Sequence, residues 1–261
     1  MSVSVLVALL CLVLGLAVGS FLNVVVWRVP RKESVVHPPS ACPRCGHGIR
    51  WFDNIPVLSW FVLRGRCRDC REPISWRYPA VEASTGLLFA GVGLHFGLSA
   101  ALPAFLYLGA ISVALLLIDL DTHTLPNAIV LPAYPVTVGL LLLATWVEGE
   151  WWSLARAGIG AAILFGAYLL MAVAYAGGMG FGDVKLAGVL GAYLGWLGWG
   201  QLAVGAFGAF LLGGLFGIAL VLSKKAGRKT GIPFGPWMIT GAFLGIFAGG
   251  PLWDSYLGLV N

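Results

Sequence analysis

Residues 99–118 read SAALPAFLYLGAISVALLLI, twenty positions without a charge, and the run stops against Asp119. A helix needs about 20 mostly apolar residues to cross the hydrocarbon core of a bilayer. Comparable runs recur at 3–27, 79–97, 127–147, 153–176, 184–199, 201–222 and 233–250. Together they make about eight spans. The runs are continuous rather than alternating, and lipid admits only helices or closed barrels. Only 10% of the 261 residues are charged, against roughly a quarter in a soluble domain, too few to coat a globule of this size. The expected fold is an all-α polytopic membrane protein in contact with a lipid bilayer.

Charge orients the spans. Residues 28–78 carry ten basic and four acidic side chains, so this segment is +6 and the rest of the chain sums to −1. A basic loop beside anionic lipid accounts for that bias, and no nucleic-acid partner is expected. With Lys and Arg kept in the cytoplasm, the N-terminus lies outside and the 28–78, 119–126, 177–183 and 223–232 loops lie inside. Fifteen of the sixteen basic residues then face the cytoplasm, and Arg156 is the exception. Val3 to Trp27 has no positively charged segment ahead of it, so it reads as a retained first helix rather than a signal peptide. The organisation expected is a first transmembrane helix over 1–27, a cytoplasmic loop domain over 28–78 and a membrane core over 79–261. Glycine patterns such as Gly205-Ala-Phe-Gly208 and Gly213-Gly-Leu-Phe-Gly217 put small residues where helices in lipid pack closely.

Four of the five cysteines lie in the basic loop, as Cys42-Pro-Arg-Cys45 and Cys67-Arg-Asp-Cys70. Two CxxC pairs at this separation match a tetrahedral thiolate zinc site. Disulfides or free thiols are the competing readings, and a reducing cytosol disfavours the former. A loop of this size has little apolar material for its own core, so a structural zinc would supply folding free energy. Four thiolates leave no open coordination position, which argues against a catalytic metal. His37 and His47 are nearby substitutes that four cysteines make unnecessary. Cys11, inside the first span, reads as a buried apolar residue.

Ionisable groups at membrane depth are costly and demand a reason. Asp119, Asp121 and Asp183 all map to the cytoplasmic ends of spans: Asp119 closes the third, and Asp183 opens the sixth in Gly180-Phe-Gly182-Asp183. Two carboxylates brought together share a proton, because like charges at close range cannot both ionise. The ionised member then takes a proton from water while the protonated one polarises a peptide carbonyl. The plainer alternative is that these residues cap helices at the interface, Asp183 being well placed for that.

Gly180-Phe-Gly-Asp183 is a GxGD motif, and Asp119 stands seven residues before Pro126 in Asp119-Leu-Asp-Thr-His-Thr-Leu-Pro126. With Gly19-Ser-Phe-Leu-Asn23, the two CxxC pairs, Arg77-Tyr-Pro-Ala-Val-Glu82 and Ile232-Pro-Phe-Gly-Pro236 in the same order, the chain resembles the bacterial type IV prepilin peptidases over nearly its whole length. The resemblance implies a membrane aspartyl endopeptidase in the bacterial plasma (inner) membrane, with Asp119 and Asp183 as its catalytic pair and its active site facing the cytoplasm. It implies type IV prepilin or pseudopilin substrates, cut after a glycine. It also implies methylation of the new N-terminus with S-adenosylmethionine, which no nucleotide-binding fingerprint in the sequence suggests. Glu82 and Asn23 are candidates for that end of the molecule, although helix-start and interhelical hydrogen bonding describe both more simply. Asp121 reads as a helix-end or substrate-contacting residue. Lys185 either neutralises the carboxylate pair or anchors its helix. His123 reads as water-facing and His95 as a packing residue.

Three alternatives stay open at this point: a peptidase without methylation, a transporter with acids at broken helices, and a non-enzymatic scaffold for secretion assembly.

Overall fold

The computed structural model describes residues 2–174, 179–223 and 233–260. Every regular element among them is helical. Eight long helices follow the expected runs: α1 Val3–Arg28, α3 Arg77–Phe96, α4 Leu102–Thr122, α5 Asn127–Glu148, α6 Trp151–Ala174, α7 Phe181–Leu197, α8 Trp199–Leu222 and α9 Gly235–Val260, with a short α2 at Leu58–Val62. Five of them, α1, α4, α5, α6 and α8, are long and apolar enough to cross a membrane, which makes this a multi-pass membrane protein. The expected 223–232 loop, with Lys224, Lys225, Arg228 and Lys229, lies outside the described residues apart from Ser223, as do residues 175–178.

The chain divides into two compact units, Met1–Ala114 and Leu115–Asn261, and the boundary falls within α4. In the first unit α1 packs along α3 through bare glycine surfaces. A Cβ on Gly15 would stand 2.7 Å from Phe89 Cβ, and one on Gly19 would stand 2.8 Å from Glu82 Cα. Cys11 is buried with Val7 and Phe89, with Leu102 and Leu106 packed against them, as its apolar reading requires.

The second unit is organised around α7, of whose seventeen residues twelve are buried. Helix α6 meets it backbone to backbone: a Cβ on Gly160 would lie 2.5 Å from Gly191 O, and one on Gly195 would lie 2.6 Å from Arg156 O. Helices α8 and α9 form a second such seam, where a Cβ on Gly245 would lie 2.6 Å from Gln201 O. Without a hydrophobic driving force between helices in lipid, this close approach is what gains van der Waals contact. Helix α5 is tied on by polar bonds. The Tyr134 hydroxyl donates to Lys185 O (2.7 Å), and Trp196 Nε1 donates to Thr145 Oγ1 (2.9 Å).

Arg156, the one basic residue the charge pattern left outside, has a structural task. Its guanidinium donates to Gly195 O (2.6 Å), Trp196 O (2.6 Å) and Leu197 O (3.1 Å). These carbonyls end α7 and have no partner further along the helix. A cation there also suits the helix dipole.

Candidate active site and metal centre

Three helix ends of the second unit build the acidic site. Helix α4 runs a turn beyond its apolar stretch, to Thr122, where the Thr122 hydroxyl donates to Ile118 O (2.8 Å) and His123 N to Asp119 O (2.9 Å). His123 then adopts a left-handed φ of +53° and closes the helix. Asp119 therefore stands in the last turn of α4 and is 4% exposed. Helix α7 begins one residue after Gly180, and Asp183 Oδ2 accepts the Gly180 N–H at 3.1 Å. Asp183 is 9% exposed. The helix-capping role weighed from sequence is thus real for Asp183, and it leaves the other carboxylate oxygen uncommitted to that bond.

Leu125 connects the two. A Cβ on Gly182 would stand 2.9 Å from Leu125 Cβ, and one on Gly235, at the start of α9, would stand 3.4 Å from Leu125 Cδ2 and 2.6 Å from Asp119 Oδ2. The GxGD turn, the Leu125-Pro126 segment and the α9 start therefore meet around the two acids. Asp119 lies within electrostatic reach of Asp183. Asp119 Oδ2 is buried with no hydrogen-bond partner among the described residues, an arrangement expensive enough to require a function or a ligand. Tyr168 of α6, 3% exposed, forms a three-ring cluster with Phe210 and Phe234 and lies within electrostatic reach of Asp183.

The remaining candidates fall elsewhere. Asp121 and His123 are exposed. Lys185 Nζ donates to Asn127 Oδ1 (2.9 Å) and lies 4.8 Å over the Phe181 ring. Lys185 thus ties α7 to the start of α5. The His95 ring packs edge-on against Phe96, at 4.8 Å between centroids.

In the first unit the four loop cysteines converge, their Sγ atoms all within 4.8 Å of one another and Cys42 Sγ 3.7 Å from Cys70 Sγ. A tetrahedral site with Zn–S near 2.3 Å sets sulfurs about 3.8 Å apart, so the four thiols fit such a metal after a small contraction. All are free, with no disulfide, and neither His37 nor His47 joins the group. Each CxxC pair is a knuckle of the same design. Cys42 N donates to His47 O (2.9 Å) and Gly46 N to Cys42 O (2.9 Å); likewise Cys67 N donates to Glu72 O (2.8 Å) and Arg71 N to Cys67 O (3.1 Å). Gly46 and Arg71, in equivalent places, both have left-handed φ, +69° and +62°. The backbone N–H groups of Cys45 and Arg44 lower the Cys42 thiol pKa, while at Cys70, against the backbone N–H of Glu72, burial and hydrogen bonds to the other thiols push the thiol up to about 12, so a metal must displace protons from the group. Arg68 hydrogen bonds hold the Asp53 carboxyl below its usual range, and Arg50–Asp69 (3.1 Å) and Arg44–Glu72 (3.4 Å) pair the other acids around the knuckles.

Glu82 and Asn23 serve structure. Glu82 Oε2 accepts the N–H of Val57 at 2.7 Å, where the loop turns through a φ of +62°, and Asn23 Nδ2 donates to Tyr78 O at 3.3 Å.

Sequence reasoning missed Leu125, Gly235 and Tyr168 as site residues. Tyr168 left a signal, a polar ring in an apolar helix, and Leu125 and Gly235 lie within the quoted Leu-Pro126 and Ile232-Pro-Phe-Gly-Pro236 stretches, which gave no contact. The two other contacts join residues far apart in the chain.

Residues 13–96 match the family model described as the bacterial peptidase A24 N-terminal domain, and residues 104–218 match that of the type IV leader peptidase family. A protein of Stutzerimonas stutzeri named prepilin leader peptidase/N-methyltransferase is 37% identical over 95% of this chain and 93% of its own length. One of the same name from Pseudomonas aeruginosa is 36% identical over 94% and 92%. One from Myxococcus xanthus is 41% identical over 85% of this chain and 66% of its own length. No solved structure matches the chain.

Proposed function

This chain belongs to the type IV leader peptidase family, and from that membership we propose that it cuts the leaders of type IV prepilins or pseudopilins after a glycine and methylates the new N-terminus. Asp119 and Asp183 are the catalytic pair. The observation that carries this reading is the cluster in which Leu125 touches the glycine beside each acid, with Asp119 Oδ2 buried and unpartnered.

The chemistry follows from the two environments. Asp183 accepts an N–H bond from Gly180, which favours a carboxylate, so it is suited to take the proton from the attacking water. Asp119 has the backbone N–H of Gly235 beside it but keeps Oδ2 buried and unpartnered, and that oxygen is suited to hold the shared proton and hydrogen-bond the scissile carbonyl. Tyr168 lies close enough to Asp183 to influence where that proton rests.

The site faces the cytoplasm of the bacterial inner membrane, with α3, α7 and α9 also crossing the bilayer to make eight spans. A basic leader left inside by the positive-inside rule reaches the acids there. The four cysteines hold zinc, which crosslinks the two knuckles. S-adenosylmethionine, when bound, would supply the electrophilic methyl group that the freed amine takes up. The relatives' names favour this bifunctional reading over a transporter, a scaffold or a peptidase alone.

Coexpression with a prepilin tests the proposal. Asp119→Asn and Asp183→Asn should each accumulate full-length precursor while inserting normally, and the wild-type product should carry one added methyl by mass spectrometry. Processing that persists in both variants would refute the catalytic pair.

A further inference from the structure

Along the Arg28 half of α1 runs a cleft of about 260 Å³ between the helix and the 35–40 segment, with Asn54 at its rim. Ala17, Ser20, Phe21, Val24 and Arg28 line its helical wall. They repeat at the three- and four-residue spacing of one helix face. Gly15 and Gly19 turn instead toward α3, and Leu22, Val25 and Val26 are buried, so the cleft lies on the face that α3 leaves uncovered. We propose that this cleft holds an anionic phospholipid, with its phosphate on Arg28 and an acyl chain along Val24, Phe21 and Ala17.

Depth argues for a lipid rather than a soluble anion. From Arg28 to Ala17 the helix rises by about 16 Å, close to the ~15 Å half-thickness of the hydrocarbon core. With Arg28 at the interface, the far end of the cleft reaches the bilayer midplane, where an acyl chain belongs and a water-soluble group does not. Beside Arg28, Trp27 is 58% exposed and carries the Arg31 guanidinium 3.6 Å over its ring. An exposed tryptophan under a cation marks the headgroup level.

Charge complements this shape. The ion pairs found in the loop use Arg44, Arg50 and Arg68. Among the described residues no ion pair engages Arg28, Arg31 or Lys32. Arg28 donates instead to two neutral carbonyls, Ser34 O (2.9 Å) and Pro38 O (2.7 Å), and of its five N–H groups these bonds leave others for a phosphate. Arg28, Arg31 and Lys32 thus bring to the cytoplasmic end of α1 a positive charge that no ion pair among the described residues meets, with Arg28 in the cleft wall itself. A bound phosphodiester neutralises part of it.

The inference is independent of the peptidase reading, and its test uses no activity. The full chain is equilibrated with vesicles of equal phosphatidylglycerol and phosphatidylcholine, extracted in mild detergent, and its retained lipid weighed by mass spectrometry. Phosphatidylglycerol should be retained in preference, and Arg28→Gln should lower that preference about fivefold, the effect of one interfacial cation. Because Arg28 also ties the 34–38 turn, Val24→Trp is the second variant: it fills the groove, leaves the guanidinium in place, and should lower retention of both lipids. Equal retention of the two lipids by the wild type, or wild-type behaviour in both variants, overturns the proposal. So does displacement of the lipid by inorganic phosphate or S-adenosylhomocysteine, which would make the cleft a site for a soluble anion or for a nucleoside.

Discussion

Gly235 presses its bare Cα against Asp119, so that a Cβ on the glycine would stand 2.6 Å from Oδ2 of the aspartate. The carboxylate has no room to retreat, since it is buried among the last residues of α4. Gly235→Ala should therefore displace the Asp119 carboxylate while sparing insertion. A displacement approaching 1 Å lowers rates by about 100-fold. Timed cleavage of a prepilin by the purified variant measures this, and a wild-type rate would show that Asp119 does not act from the position described.

The metal proposal has its own readout. Cys42→Ser together with Cys67→Ser removes one ligand from each knuckle, and two thiols do not close a tetrahedral site. Zinc content by mass spectrometry should fall to background and folded yield should drop with it, because binding free energy is folding free energy in such loops. Protons compete with the metal for the thiolates, so acidification should release metal from the wild type and raising the pH should restore it.

Equivalent positions of the two knuckles carry different residues, Gly46 and Arg71, in the same left-handed conformation. Gly46→Val should destabilise the loop by about 1–2 kcal/mol, the cost of that conformation for a residue with a branched Cβ. Arg71→Gly relieves strain of similar size but adds freedom to the unfolded chain, so its net effect should stay within about 0.5 kcal/mol. Rates of metal loss to a chelator distinguish the two. Equal sensitivity would mean the knuckles are not alike.

Arg156→Met keeps much of the apolar stem and removes the donors that end α7. Loss of charged hydrogen bonds to buried carbonyls should lower stability by about 2–3 kcal/mol. Thermal unfolding in detergent reads the effect. An unchanged midpoint would mean that water serves those carbonyls equally well.

The apolar runs located all eight long helices to within a few residues at most ends, because a span is a local property of composition. The 233–250 run was the main misfit, since α9 continues to Val260. The acids were legible for the same reason, as rare charges at the ends of apolar runs. Leu125 and Gly235 were not, because what matters about them is an approach between residues more than fifty positions apart. Arg156 looked like an exception to the charge rule and proved to be a cap, a role fixed by the neighbouring helix and invisible in the spacing of α6. Lys185 beside Asp183 left a counter-ion and an anchor equally open in the sequence, because its partner Asn127 lies 58 positions away.

The seventeen residues of α7 rise only about 26 Å, a few ångströms less than the ~30 Å of a typical hydrocarbon layer. Its backbone contact with α6 keeps it from sliding to compensate. With twelve of its residues buried among other helices, α7 meets protein rather than acyl chains along most of its surface. The depth of the carboxylate in its first turn is thus set by its neighbours' backbones and not by the thickness of the surrounding sheet.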